Sequence, residues 1–158
     1  MRHGMDKGKD AFCDEKRYSE AFFATKHFLA LYDKKPLLPG HCLVVSKRHV
    51  VDINELSPEE FADLRHILKS VLPGLAKVYG DCKSYNLVIQ RGKPAGASIA
   101  HFHIHIVPRK PNDAYANDDD IYKDIDTKAN VLPRKAYLAE VAKLRKYLRY
   151  KQKAPKGL

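Results

Sequence analysis

The sequence predicts an α+β domain: an antiparallel sheet with a long helix packed on one face and a second helix near the C-terminus. Three observations predict it. Short apolar, β-branched runs alternate with Pro, Gly and Asp turns. A single long stretch from Pro58 keeps a helical apolar period. The order, strands then helix then strands then helix, lacks the βαβ alternation of a doubly wound sheet.

Residues 1–10 carry Gly4, Gly8 and many charges, and are expected to be disordered. Residues 11–150 read as one domain, and 151–158 as a solvated basic tail. Phe12-Cys13 reads as a short edge strand. Ala21 to Ala24 and His27 to Tyr32 flank Thr25-Lys26 as a hairpin. Asp33-Lys34-Lys35-Pro36 and Pro39-Gly40 are turns. His41 to Val45 is a buried strand.

Ser57-Pro58-Glu59-Glu60 is a helix start, with Ser57 as cap, Pro58 at N1 and Glu60 completing a capping box. Leu56 and Phe61 take the hydrophobic-staple positions. Phe61, Leu64, Ile67, Leu68, Val71, Leu72 and Leu75 form one face. Pro73 is expected to kink or split this helix, and Gly80 to end it. Tyr85 to Gln90 reads as a strand, Arg91 to Ala97 as a Gly-rich loop, and Lys110 to Asp120 as a mobile polar loop. A last helix starts near Pro133, with Tyr137, Leu138, Val141, Leu144 and Leu148 as its stripe.

The chain has 158 residues and a formal net charge of +10, from 29 Lys and Arg against 19 Asp and Glu. That excess suits an anionic partner such as a nucleotide. Part of it sits in the tail, so nucleic acid is the minority reading. Cys13, Cys42 and Cys82 are scattered, with no CxxC or Cys/His finger spacing. A reduced compartment, cytoplasmic or nuclear, is expected. No secretory h-region or membrane-length apolar run is visible.

The stretch His101-Phe102-His103-Ile104-His105-Ile106-Val107-Pro108-Arg109 carries the chemistry. Its period of two puts three imidazoles on one face of a half-buried strand, with Phe102, Ile104 and Ile106 on the other. Pro108 is expected to end the pairing. Three titratable rings on one face are a poor fit to chance exposure. A zinc site is conceivable, with His41 or Asp33 as a third ligand, but no Glu or Cys stands at a usual ligand spacing near the row. Nucleophilic catalysis on phosphate fits better: a neutral imidazole attacks, a flanking one binds or protonates. Gly92, Gly96 and Ser98 just upstream offer backbone and hydroxyl donors to an anion.

His101 to Val107 resembles the histidine triad superfamily, whose mark is His-φ-His-φ-His-φ-φ with φ apolar. The resemblance extends to Phe28 through His41, similar to that family's nucleoside-binding strand and Pro-Gly-His turn, and to Gln90 through Gly96, similar to its phosphate loop. Gln90, placed before His101, together with Pro108-Arg109-Lys110 and Asn117 to Tyr122, favours the Fhit-like branch. Asp33 stands where that branch usually has Asn, Ala97 replaces a common Gln, and Arg91-Gly92-Lys93 is more basic than usual. Arg91 and Lys93 are therefore expected to take outer phosphates.

The resemblance implies a histidine-triad fold and a homodimer whose sheet runs through both chains. It implies hydrolysis of dinucleoside polyphosphates, with diadenosine triphosphate giving AMP and ADP. His103 would be the nucleophile and form a nucleotidyl-histidine. His105 would bind the α-phosphate, and His101 would support, hydrogen-bonded to His41. Gln90 would contact phosphate or the leaving group. Gly96, Ala97, Ser98 and Ile99 would line the phosphate, Asp33 would take the ribose hydroxyls, and Leu31 would lie near the base. Tyr122 is either a modification site or packing. No metal ligand or chain-bound cofactor is expected; Mg²⁺ or Mn²⁺ would come with the substrate. A Hint-like phosphoramidase and a nucleotide-binding signalling module with weak catalysis remain the alternatives.

Overall fold

The computed structural model of the protein describes residues 10–80, 82–116, 121–127 and 130–148. The expectations for residues 1–9, Asn117 to Asp120 and 151–158 lie outside the described residues. Five strands, β1 Phe23–Ala24, β2 Phe28–Tyr32, β3 Cys42–Ser46, β4 Ser84–Val88 and β5 His103–Arg109, form one antiparallel sheet in the order β1-β2-β3-β5-β4. The helices are α1 Lys16–Glu20, α2 Pro58–Val78, α3 Ile121–Asp124 and α4 Arg134–Leu148.

The register sets the two faces of the sheet. Ala30, Val44 and Ile104 pair across β2, β3 and β5, as do Tyr32, Cys42 and Ile106. These residues pack on Leu64, Ile67, Val71 and Leu75 of α2 and on Tyr137, Val141 and Leu144 of α4, forming the main core. The alternate rows, Leu29–Val45–His103 and Leu31–Leu43–His105, point the other way. There Leu29, Leu31, Leu43 and Val45 meet Phe12, Ala21 and Ile99 in a second apolar cluster.

Helix α2 starts as its sequence dictates. Glu60 N donates to Ser57 Oγ at 3.2 Å, and Ser57 N donates to Glu60 Oε2 at 2.8 Å. Arg48 adds a two-pronged contact to Glu60, holding its carboxyl down at about 2. Pro73 does not split the helix, which runs unbroken to Val78. A mid-helix proline costs about 3 kcal/mol by propensity. Burial of Leu64, Ile67, Val71 and Leu75 against the sheet offsets that. Phe61 and Leu138, expected on apolar faces, are exposed instead, because each lies beyond the edge of the buried stripe.

Pro108 likewise does not end its strand. β5 continues to Arg109, with Tyr85↔Pro108 and Ser84↔Arg109 still paired. The β3 ladder stops at Ile106, so Pro108 has a partner on one side only, where a missing N–H is tolerated. Phe12-Cys13 is a turn rather than a strand, because the Asp10 carboxylate takes both backbone N–H groups. Helix α1 was not visible in the sequence; its five residues carry no apolar stripe and bury none. Arg145 of α4 donates to the backbone oxygens of Ser19 and Ala21, tying the C-terminal helix to the segment before β1.

Candidate active site

The three histidines converge where β5 begins, but they are not exposed. His101, His103 and His105 have fractional exposures of 2, 3 and 1%. A half-buried strand would leave the histidine face to solvent, but the structure buries this face as well as that of Phe102, Ile104 and Ile106. Residues distant in the chain cover it: Phe12 lies 5.7 Å from the His101 ring and 5.2 Å from the His103 ring, and Asp126 faces His105.

Hydrogen bonds assign each ring a role. His103 Nδ1 lies 2.7 Å from the His101 carbonyl and must donate to it, which leaves a lone pair on Nε2. Burial lowers the pKa of His103, with the His105 charge adding to that and the His101 carbonyl opposing it, so the ring is neutral near pH 7. His41 Nδ1 accepts the Leu37 N–H at 3.1 Å, so its proton sits on Nε2. Burial pushes His41 down to about 4. Its Nε2–H lies 3.1 Å from His105 Nδ1 and 3.3 Å from Asp33 Oδ2. His105 Nδ1 is then the acceptor, and its proton is on Nε2. That Nε2 is buried without a hydrogen-bond partner and lies 3.9 Å from Asp126 Oδ2.

The Pro-Gly-His turn places His41. Gly40 has φ +88°, donates its N–H to the Tyr32 hydroxyl at 3.1 Å, and would press any Cβ to 2.8 Å from the Tyr79 ring. The loop before β5 depends on Gly96 in the same way. At φ +89° a Cβ there would stand 2.6 Å from Gln90 Nε2. Gln90 thus packs directly on the loop backbone, and its Oε1 is buried without a partner. Ser98 Oγ donates to Asp126 Oδ2 at 2.7 Å, and Asp126, at φ 63°, brings a carboxylate between Ser98 and His105. A carboxylate is therefore held by the Ser98 hydroxyl and faces, at 3.9 Å, the imidazole expected to hold a phosphate.

A second group of polar side chains meets at the other end of the row. Asp10, Cys13, His49 and His101 each present one donor atom, all within 4.8 Å of one another.

The HIT domain profile matches residues 15–112. The chain belongs to the HIT family. It is 41% identical over 110 residues to the bis(5'-adenosyl)-triphosphatase of Dictyostelium discoideum, covering 70% of this chain and 72% of that one. To the asymmetrical bis(5'-nucleosyl)-tetraphosphatase of Schizosaccharomyces pombe it is 37% identical over 108 residues, covering 68% of this chain and 58% of that protein. Among solved structures, the Plasmodium falciparum diadenosine triphosphate hydrolase superposes with a TM-score of 0.69 at 26% identity, covering 86% of this chain and 78% of that chain.

Within this HIT domain the register puts His103, His105, His41 and Asp33 on one face of the sheet, with Ser98 linked to His105 through Asp126 and Gln90 packed on Gly96. His41 does not bond His101, as expected from sequence; it bonds His105, because it sits at the His105 end of β3. His101 Nε2 donates instead to the Ser46 carbonyl at 2.7 Å. Asp33 is buried, its Oδ1 accepting the Lys35 N–H at 2.7 Å and its Oδ2 facing His41 and His105. Arg91 pairs with Asp52 at 3.3 Å. Leu31 lies in the apolar cluster beside the row with Ile99. Tyr122 is exposed. Sequence reasoning missed Asp10, Cys13, His49 and Asp126, since none lies at a short spacing from the row.

Proposed function

We propose that the protein hydrolyses dinucleoside polyphosphates, converting diadenosine triphosphate to AMP and ADP through a nucleotidyl-histidine on His103. The observation that carries this is the tautomer of His103: a neutral ring, with Nδ1–H tied to a backbone carbonyl and Nε2 left to attack. The Asp126 carboxylate, bonded to Ser98 and 3.9 Å from His105 Nε2, supports an anion position beside it. The named activities of the Dictyostelium and Plasmodium relatives support the same substrate class.

Nε2 of His103 attacks the α-phosphorus, forming a P–N bond as the P–O bond to the ADP leaving group breaks. His105 Nε2–H and the backbone of Gly96, Ala97, Ser98 and Ile99 carry the equatorial oxygens. Water then cleaves the P–N bond and releases AMP. Gln90 lies against the loop and contacts phosphate or the leaving group. We assign Asp33 to orienting the His41–His105 pair, since its carboxylate is engaged there, and the base to the apolar surface near Leu31. Mg²⁺ or Mn²⁺ would arrive with the substrate phosphates.

A homodimer is supported by β4, an edge strand with Tyr85 and Leu87 exposed at 46 and 42% and Ile89 just beyond it at 44%. Among the described residues no helix is long and apolar enough to cross a membrane. The free thiols of Cys13, Cys42 and Cys82 support the reading of a reducing, cytoplasmic or nuclear compartment.

Product analysis on diadenosine tri- and tetraphosphate tests the reading. His103→Ala is expected to lower kcat by about 10⁴-fold or more. Higher turnover of adenosine phosphoramidate would make the protein a phosphoramidase. Tight binding with turnover equally slow in wild type and His103→Ala would make it a signalling module.

A further inference from the structure

We propose that Tyr32, Tyr79 and Glu140 are positioning residues: they form a hydrogen-bond relay from α4 through the core to the Gly40 N–H, and this relay holds the turn that sets His41 and, through it, His105. The relay deepens the hydrolase reading and rests on it for the kcat readout alone. The Gly40 N–H donates to the Tyr32 hydroxyl at 3.1 Å in a buried position. The Tyr32 hydroxyl is hydrogen-bonded in turn to Tyr79. The Tyr79 hydroxyl donates to Glu140 Oε2. With the Tyr79 proton given to the carboxylate, Tyr32 donates to Tyr79 and keeps a lone pair for Gly40. Both hydroxyl protons thus point toward Glu140.

Each link comes from a different element: Tyr32 ends β2, Tyr79 caps α2 and Glu140 lies in α4. Both tyrosines belong to the main core, at 4 and 7% exposure. A buried hydroxyl is costly unless it is bonded, and phenylalanine would fill the same space without that need. Hydrogen bonds that run in one direction polarise and strengthen one another. Burial, with the Glu140 bond adding to it, pushes the Tyr79 hydroxyl well above the ordinary phenol range, so it stays a donor. Lys143 Nζ lies 3.6 Å from Glu140 Oε2 and 4.6 Å from the centre of the Tyr79 ring, anchoring the outer end.

The inner end meets the Pro-Gly-His turn. The bonds from His41 N–H to the Leu38 carbonyl and from Leu37 N–H to His41 Nδ1 are internal to that turn. The Gly40 bond instead ties it to the core, and the Tyr79 ring packs against Gly40. Tyr32 stands in the Tyr32–Cys42–Ile106 row, on the sheet face opposite His105. The relay therefore acts through the turn and not on substrate. A shift of Gly40 carries His41 with it and turns its Nε2–H away from His105 Nδ1.

Kinetics on diadenosine triphosphate and long-range ¹H–¹⁵N imidazole spectra of the full chain test the relay. Tyr32→Phe and Tyr79→Phe each delete one hydroxyl and keep the ring. A kcat lower by about 10-fold for Tyr32→Phe and about 3-fold for Tyr79→Phe is expected, with KM within about 2-fold and the His41 ring drifting from its single Nε2–H form. The double variant should lose no more than Tyr32→Phe alone. Glu140→Gln keeps an acceptor for Tyr79 and should retain the kcat that Glu140→Ala loses. Tyr137→Phe is the control: the Tyr137 hydroxyl is buried in the same core without a hydrogen-bond partner, so kcat and the imidazole spectra should match wild type. Wild-type kcat and an unchanged His41 spectrum in both relay variants, with a lowered melt, would overturn the relay and leave the tyrosines as core filling. A lower kcat with an unchanged His41 spectrum would overturn the route through the turn. A wild-type chain that turns over no dinucleoside polyphosphate would sink the hydrolase reading instead, and the imidazole spectra would still decide the relay.

Discussion

Replacing His41 by Ala removes three interactions at once. The Leu37 N–H loses its acceptor at 3.1 Å, Asp33 Oδ2 loses a donor at 3.3 Å, and His105 Nδ1 loses the donor that sets its tautomer. A half-buried N–H left unpaired costs about 1 kcal/mol, and a hydrogen bond to a buried carboxylate contributes about 2 kcal/mol more. Stability should fall by about 3 kcal/mol. For a chain of this size that lowers Tm by roughly 6–12 °C. Catalysis should fall separately, by about 10–100-fold in kcat, as for other residues that orient a functional imidazole. His41→Gln keeps an amide N–H near the Nε2 position and should restore most of kcat while leaving the melt lowered. Thermal melts and kcat on diadenosine triphosphate read the two effects. If kcat of His41→Ala stays at the wild-type value while the melt drops, the tautomer argument is wrong and His41 only supports the turn.

Acid should destabilise the fold through the same ring. The unfolded chain protonates His41 below about 6.5, whereas the folded chain resists until about 4. Protons therefore favour the unfolded state across that window: the contribution is intact above pH 6.5 and shrinks by about 3 kcal/mol toward pH 4, measurable by urea melts at each pH. His103 must be neutral to attack, and its pKa is lowered, so kcat/KM should hold on the acid side to below the ordinary imidazole value. Gly96→Ala forces a Cβ into a left-handed conformation and onto Gln90; about 1–2 kcal/mol of stability should be lost, and an unchanged denaturation midpoint would mean the loop relaxes freely. Asp126→Asn removes the negative charge that Ser98 binds and His105 faces, so KM for a polyphosphate should drop by up to about 5-fold; a rise in KM would show that Asp126 helps bind substrate.

Features written in short spacing were legible in the sequence. The capping box needs only Ser57 and Glu60, and the face of β5 needs only alternation; both stand in the structure. The helix split expected at Pro73 and the strand end expected at Pro108 do not occur, for a shared reason. Pro73 and Pro108 break local rules, but packing of α2 on the sheet and the early end of the β3 ladder remove the penalty. The burial of the histidine row could not be read, because its covers come from residues far along the chain. Cys13 and His101 are 88 positions apart, and Ser98 and Asp126 are 28. The His41 partner was misassigned for a related reason. Strand alternation tells which face a ring takes, whereas the β3–β5 register decides which ring it meets.

Arg145 joins the last helix to carbonyls of Ser19 and Ala21, more than 120 positions away. Those two carbonyls belong to the same stretch of chain that leads from the Phe12 turn into the sheet. A protein cut after Leu144 would keep every histidine yet lose the guanidinium that closes this loop. A disturbance of the final helix is thus felt at the active-site cover as well as in the core that Tyr137, Val141 and Leu144 help to build.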